Sequence, residues 1–423
     1  MSTNKCRAGR LAGLALALLL AGWAGGAAAQ PIKVGVLGPM SFVQGEHHWN
    51  GATLAAEEIN KAGGIKVGAV MRPVELVKVD TNEILSVPDS ANALERAITR
   101  DKVDFLTGGF RSEAVLAMQE VAMDYKKIFL GAGAAHDELG IRVEKNPARY
   151  KYWFRVTPFK SSDLGRSLFA VFGSVAEQIR TELKVEKPKV AIVAEKAVWV
   201  EALVGAAQAN LPKMNMEVVG LWQPSPVATD VTAELSAIKR SGANLVMTII
   251  SGPLGIVMAR QMNELQTPAV PFGINVESQK DEFWEATAKK GNYVSTLNTY
   301  NAETAVTPKT LPFVKAYIAR FKTAPTYTAA TYDCLYLLKD AIEKTGTLDA
   351  DAVVAALEKS DTIGTGGRLV FDNRHDPKFA PGYLTGLGTQ WQDGKQVAFW
   401  PNGWQGVTYP GVKPFLIPSY MKQ

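Results

Sequence analysis

The chain has 423 residues, 47% hydrophobic and 21% charged, with 46 Lys and Arg against 41 Asp and Glu for a formal net charge of +5. A chain this long can bury a self-sufficient core, and its two cysteines are too few for a disulfide scaffold. No Lys/Arg run forms the face a nucleic acid needs, so no nucleic-acid partner is expected.

Lys5, Arg7 and Arg10 precede an apolar run over 11–20, too short to span a bilayer, which takes roughly 20 residues. Ala27, Ala28 and Ala29 close it with small side chains. Residues 1–29 therefore read as a secretory signal cleaved after Ala29. Cys6 precedes the apolar core, so it is not a lipoprotein's lipid-bearing cysteine and leaves with the signal. Removing Lys5, Arg7 and Arg10 takes the basic residues from 46 to 43 against 41 acidic, a net charge near +2. Cys334 then remains alone. It lies among Leu335, Leu338 and Ile342 at helical spacing, the setting of a buried, inert thiol.

After the signal, the pattern predicts a strand over 32–37, a glycine-punctuated loop over 38–51, a helix over 52–62 stopped by Gly63 and Gly64, and a strand over 74–80. Ala91, Leu94 and Ile98 mark a helical face, 103–107 a buried strand, Ala114, Met118, Val121, Ala122 and Tyr125 another helical face, and 127–131 a strand. This is one lobe, a parallel sheet covered by helices. A second series has strands over 189–194, 217–221, 244–250 and 269–273. Helices lie between them over 200–211, around Val231, Leu235 and Ile238, and over 254–265. Residues 152–158, 294–301 and 368–372 are candidate connections between lobes, a hinge of a few extended segments. Helical faces at Phe313, Tyr317 and Phe321, and at Leu335, Leu338 and Ile342, return to the first lobe. A Gly/Trp/Pro-rich tail over 383–418 ends the chain.

Catalytic patterns are missing. The histidines are His47, His48, His136 and His375, with no pair at i,i+4 and none beside Cys334, so no zinc set converges and no metal is expected. No Gly-x-Ser-x-Gly elbow or phosphate loop occurs. Gly131-Ala132-Gly133 follows a strand, but His136 occupies the third glycine position of a dinucleotide fingerprint. No cofactor is expected, and the glycines read as letting the backbone turn tightly and approach a ligand at the end of a strand.

Residues 32–41 (Ile-Lys-Val-Gly-Val-Leu-Gly-Pro-Met-Ser), Asn50-Gly51-Ala52 and 58–65 (Glu-Ile-Asn-Lys-Ala-Gly-Gly-Ile) resemble the N-terminal signature of the leucine/isoleucine/valine-binding-protein family. These are type I periplasmic solute-binding proteins of ABC importers. The resemblance continues at 77–80, 102–104, 154–158, Thr229-Asp230-Val231, Tyr332-Asp333 and 367–372. It implies an α/β fold of two Rossmann-like lobes joined by a three-segment hinge. It also implies a periplasmic location, closure on a small-molecule ligand, and delivery to an inner-membrane ABC permease with its ATPase subunits. It implies no catalysis, and a monomer is expected. The expected domains are 30–154 with 301–367 for the N-terminal lobe, and 155–300 with 368–423 for the C-terminal lobe and hinge segments. A sensory module for a separate signalling partner, and an exported enzyme, are the competing readings.

The resemblance assigns the site by position. Ser112 stands at the family's carboxylate-binding serine, at a helix start suited to an anion, and Arg111 beside it adds a positive charge. Gly133, Ala134 and Ala135 fall in the next first-lobe loop, where Ala135 replaces a hydroxyl-bearing residue of the amino-acid binders. Trp199 stands at the family's aromatic wall, and Ser251 follows a second-lobe strand. Asn275 stands where amino-acid binders place an acid for the ligand ammonium, with Glu277 two residues on. An unpaired buried ammonium costs on the order of several kcal/mol. Together with Ser41, Phe42 and Trp49 in the first loop, this favours an aromatic or other hydrophobic carboxylate, with a branched-chain or other amino acid, or an amide, as the alternative.

Overall fold

The computed structural model describes residues 29–422; the secretory-signal reading falls on residues outside them, apart from Ala29. No helix among the described residues is long and apolar enough to cross a membrane. Strands β1 (Ile32–Gly38), β2 (Val74–Asp80), β3 (Phe105–Gly108), β4 (Phe129–Gly131) and β5 (Trp153–Arg155) form the first sheet in the order β2-β1-β3-β4-β5. All are parallel, with Val34 opposite both Leu76 and Phe105. The inner strands are continuous apolar runs because helices cover both faces: α1 (Val43–Lys61), α2 (Val87–Thr99) and α3 (Ser112–Asp124) join them.

The chain then crosses to a long helix, α4 (Ser161–Leu183). The second lobe alternates β6 (Lys189–Ala194), α5 (Val198–Asn210), β7 (Glu217–Trp222), α6 (Thr232–Ser241), β8 (Leu245–Ile250), α7 (Leu254–Glu264), β9 (Val270–Asn275) and β10 (Ser295–Asn298). Helices α8 (Thr310–Phe321), α9 (Thr331–Thr345) and α10 (Ala350–Leu357) return to the first lobe. There Tyr332 and Tyr336 donate to Glu58 of α1 at 2.6 and 2.8 Å, and Phe313 and Tyr317 pack around Leu54. A terminal antiparallel hairpin, β11 (Leu387–Gln392) and β12 (Lys395–Trp400), completes the second sheet in the order β12-β11-β10-β9-β8-β6-β7.

Three expectations change. The segment expected as a loop over 38–51 is helical from Val43. Its glycines are contact points, since a Cβ on Gly51 would overlap the carbonyl of Ala329 and one on Gly45 the carbonyl of Pro39. Helix α4 had no counterpart in the pattern reading. The C-terminal tail contributes two sheet strands. Near the expected lobe boundaries at 154 and 368 the two segments lie side by side. Arg155 belongs to β5, its N–H donates to His375 O at 2.9 Å, and the His375 ring stacks on Phe154 at 4.0 Å. The chain near 368–376 thus still lies on the first lobe, and Thr385 is already in reach of Ser167 in α4.

Candidate functional site

Both sheets aim the C-terminal ends of their strands at one cavity, the usual ligand position in open α/β sheets. Residues after β3 (Phe110, Arg111, Ser112), β4 (Gly133, Ala135) and β5 (Thr157, Pro158, Phe159) line one side, and residues after β6, β7 and β8 line the other. The space open to water centres is about 110 Å³. One water needs roughly 10–15 Å³ by that measure, so a small organic ligand fits. Most of the wall is apolar, including Leu164, Ile274, Val276, Leu297 and Leu384.

The first-lobe wall is rich in donors. The first bond of α3 runs from Val115 N to Arg111 O at 2.9 Å, so the amides of Ser112, Glu113 and Ala114 are the orphan donors of a helix start. Ser112 Oγ accepts from His136 N at 3.3 Å, a bond that leaves its own proton to donate. Arg111 is half-buried, donating to Ile84 O at 2.8 Å and to Glu113 Oε2 at 3.3 Å, while Glu113 Oε1 accepts Val198 N of the second lobe at 3.2 Å. The Arg111 charge is therefore already paired at the mouth of the cleft. Behind it, buried Glu83 accepts from the amides of Phe110 and Arg111 at 2.9 and 2.8 Å and from Thr81 Oγ1 at 2.8 Å. Burial pushes its carboxyl up to about 7, against the pull of those bonds.

The loop after β4 is pinned from outside. The Arg155 guanidinium donates to the carbonyls of Ala134 and His136 and to Asp376 Oδ1, the last at 2.7 Å, and Ser161 N and Oγ both donate to Ala135 O. The carbonyls of this loop thus turn into the protein. Ala134 does not reach the cavity wall, and Gly133 is glycine because a Cβ there would overlap Gly109 O. Its glycine serves backbone-to-backbone packing, and the residue also borders the cavity.

The second-lobe wall centres on Glu195 at the end of β6, a residue the sequence reading did not single out. It is 1% exposed and accepts from Trp199 Nε1 (2.9 Å), Ser251 N (2.8 Å), Ser251 Oγ and Gly252 N (3.0 Å). Among the described residues, Arg111 and Glu195 are the only charged ones in the wall.

Of the expected site residues, Arg111, Ser112, Gly133, Ala135, Trp199 and Ser251 border the cavity; Ser41, Phe42, Trp49, Ala134, Asn275 and Glu277 do not. Once α1 starts at Val43, its inward face carries Gln44, His47 and His48, while Ser41 is exposed and Trp49 lies under Lys78, 5.3 Å from its ammonium. Strand alternation sends Ile274 and Val276 to the cavity and the Asn275 amide to Gly255 O of α7 at 3.1 Å. Glu277 pairs with Lys280 at 2.7 Å and accepts Gln44 Nε2 at 3.2 Å; that same amide reaches Ser251 O at 3.2 Å, tying the lobes together.

The periplasmic binding protein family matches residues 31–390. A Leu/Ile/Val-binding protein homolog (number 8) from Brucella suis biovar 1 is 24% identical over 409 residues, covering 92% of this chain and 96% of the relative. The branched-chain amino acid binding protein LivJ of Streptococcus pneumoniae, solved with isoleucine, superposes with a TM-score of 0.71 at 21% identity, over 90% of this chain and all of the other. A solute-binding protein of Rhodopseudomonas palustris, solved with benzoate, does so with a TM-score of 0.71 at 19% identity, over 92% and 99%. With two α/β lobes facing one cavity and the family matched along most of its length, the chain belongs to the periplasmic binding protein family and has the type I fold.

Proposed function

We propose that the chain is the periplasmic solute-binding component of an ABC importer, and that it captures a hydrophobic, preferably aromatic, carboxylate between its lobes and hands it to a membrane permease. No chemistry on the ligand is part of this reading. The observation that carries it is the polarity of the cavity. Ser112, at the start of α3, stands at one end, and the body of the wall is apolar. The second-lobe acid, Glu195, is taken up by four protein donors. Such a wall orients a carboxylate toward α3 and buries its apolar body. The benzoate-bound relative supports this choice.

A second reading, a branched-chain amino acid, is favoured by the presence of an acid in the wall at all, and by the isoleucine-bound relative. Calorimetry on protein unfolded and refolded to strip carried-over ligand separates the two. Benzoate binding with no heat from leucine supports the first; leucine binding with none from benzoate rejects it in favour of the second.

A further inference from the structure

Glu195 is the one charged residue that the second lobe contributes to the cavity. An ionised carboxylate offers about four acceptor positions, and here four donors address them. The Trp199 indole N–H and the Ser251 hydroxyl meet Oε1, and the amides of Ser251 and Gly252 meet Oε2. Those groups would otherwise be the donors at this end of the cavity. Lys280, a second-lobe cation, is bound to Glu277 at 2.7 Å and lies outside the wall. The second-lobe end therefore presents a buried negative charge whose donors all point inward onto it.

We infer that Glu195 is a specificity-determining residue: it makes the cleft accept monocarboxylates and refuse ligands carrying a second anionic group at the distal end. This rests on the carboxylate reading above. The first carboxylate goes to the start of α3, where Ser112 keeps a proton to donate. A second anionic group placed against the second-lobe wall meets the Glu195 carboxylate, whose acceptor positions are already filled by protein donors. Juxtaposed like charges in a closed site weaken binding strongly, and the expected penalty is about 100-fold in Kd. Trp199 is held edge-on to the same carboxylate, so the residue that repels the anion also fixes the aromatic wall.

The test uses three probes of one shape class: benzoate, 4-nitrobenzoate and terephthalate. The nitro group matches a carboxylate in size and carries no net charge, so the last two separate charge from bulk. Calorimetry on the ligand-stripped protein is expected to show benzoate and 4-nitrobenzoate binding within about tenfold of each other, and terephthalate about 100-fold weaker. In Glu195→Gln the gap between 4-nitrobenzoate and terephthalate should shrink at least about tenfold. Equal binding of those two to the wild type overturns the inference and leaves the carboxylate reading standing, whether or not the variant folds. A gap that a folded Glu195→Gln protein retains in full moves the discrimination elsewhere and overturns the role of Glu195. Failure of both benzoate and 4-nitrobenzoate to bind overturns the carboxylate reading and this inference with it.

Discussion

Removing the Asp376 carboxylate should unsettle both the fold and the cleft. Arg155 Nε and Asp376 Oδ1 are 2.7 Å apart, and both side chains are fully buried. At an effective dielectric of 20, unit charges that close attract by about 6 kcal/mol before desolvation is subtracted. Asp376→Ala returns the carboxylate's own desolvation cost but strands the guanidinium on the Ala134 and His136 carbonyls. The expected loss is about 3–5 kcal/mol, a large part of the roughly 5–15 kcal/mol that holds a typical protein together. Lys160 Nζ, 3.6 Å from Asp376 Oδ2 but also 3.0 Å from Asp163, loses less. Because the same guanidinium pins the loop bearing Gly133 and Ala135, ligand affinity should fall with stability. Urea unfolding of the ligand-stripped protein, followed by tryptophan fluorescence, reads the first effect and calorimetry the second. A loss under about 1 kcal/mol with affinity intact would mean that the stranded charge finds water, and would refute the reasoning.

Between pH 5 and 6.5 stability should rise with pH by about one proton's worth. Burial pushes His47 down to about 3 and His48 to about 4, so their contribution is present above the unfolded value of 6.5 and lost as pH falls, about 2 kcal/mol each by pH 5. Glu83, raised to about 7, runs the other way, its contribution full below about 4.5 and lost as pH rises through 7. Glu83→Gln should thus steepen the profile to about two protons, and a flat profile in pH-dependent urea unfolding rejects the assignment. Ser112→Ala should weaken benzoate roughly tenfold, the worth of one hydrogen bond to a charged group, with thermal stability nearly unchanged; undiminished affinity by calorimetry places the carboxylate elsewhere. Gly51→Ala pits a helix-propensity gain of about 1 kcal/mol against overlap with the rigid carbonyl of Ala329. Overlap should win by about 1–3 kcal/mol, and a raised melting temperature would contradict it.

The parallel strands were legible because a strand covered on both faces is a continuous apolar run, as at 189–194 and 245–250. Glycine misled at α1. Gly45 and Gly51 carry the same letters as turn glycines, and only the proximity of Pro39 and Ala329, remote from Gly51 in sequence, shows them to be contact points. The second-lobe acid was sought at Asn275 by family position. In space it stands two strand ends away at Glu195, with β8 between, and its signal was present in sequence as an acid directly after an apolar strand. Gln44 and Arg155 act through partners more than 200 positions distant, which no local pattern encodes.

The return of α8 to α10 to the first lobe has a consequence for how the molecule comes into being. Thr331 of α9 bonds His48 O across 283 positions, and Cys334 points at Leu130 O across 204. A chain emerging N-terminus first makes all five strands of the first sheet, then every strand of the second up to Asn298, before the helix that roofs the first sheet exists. The lobe begun first is finished after its neighbour's strands. Until then its apolar underside stands open. The same threading ties the finished lobes together, so a single nick in any one crossing leaves the others to hold them.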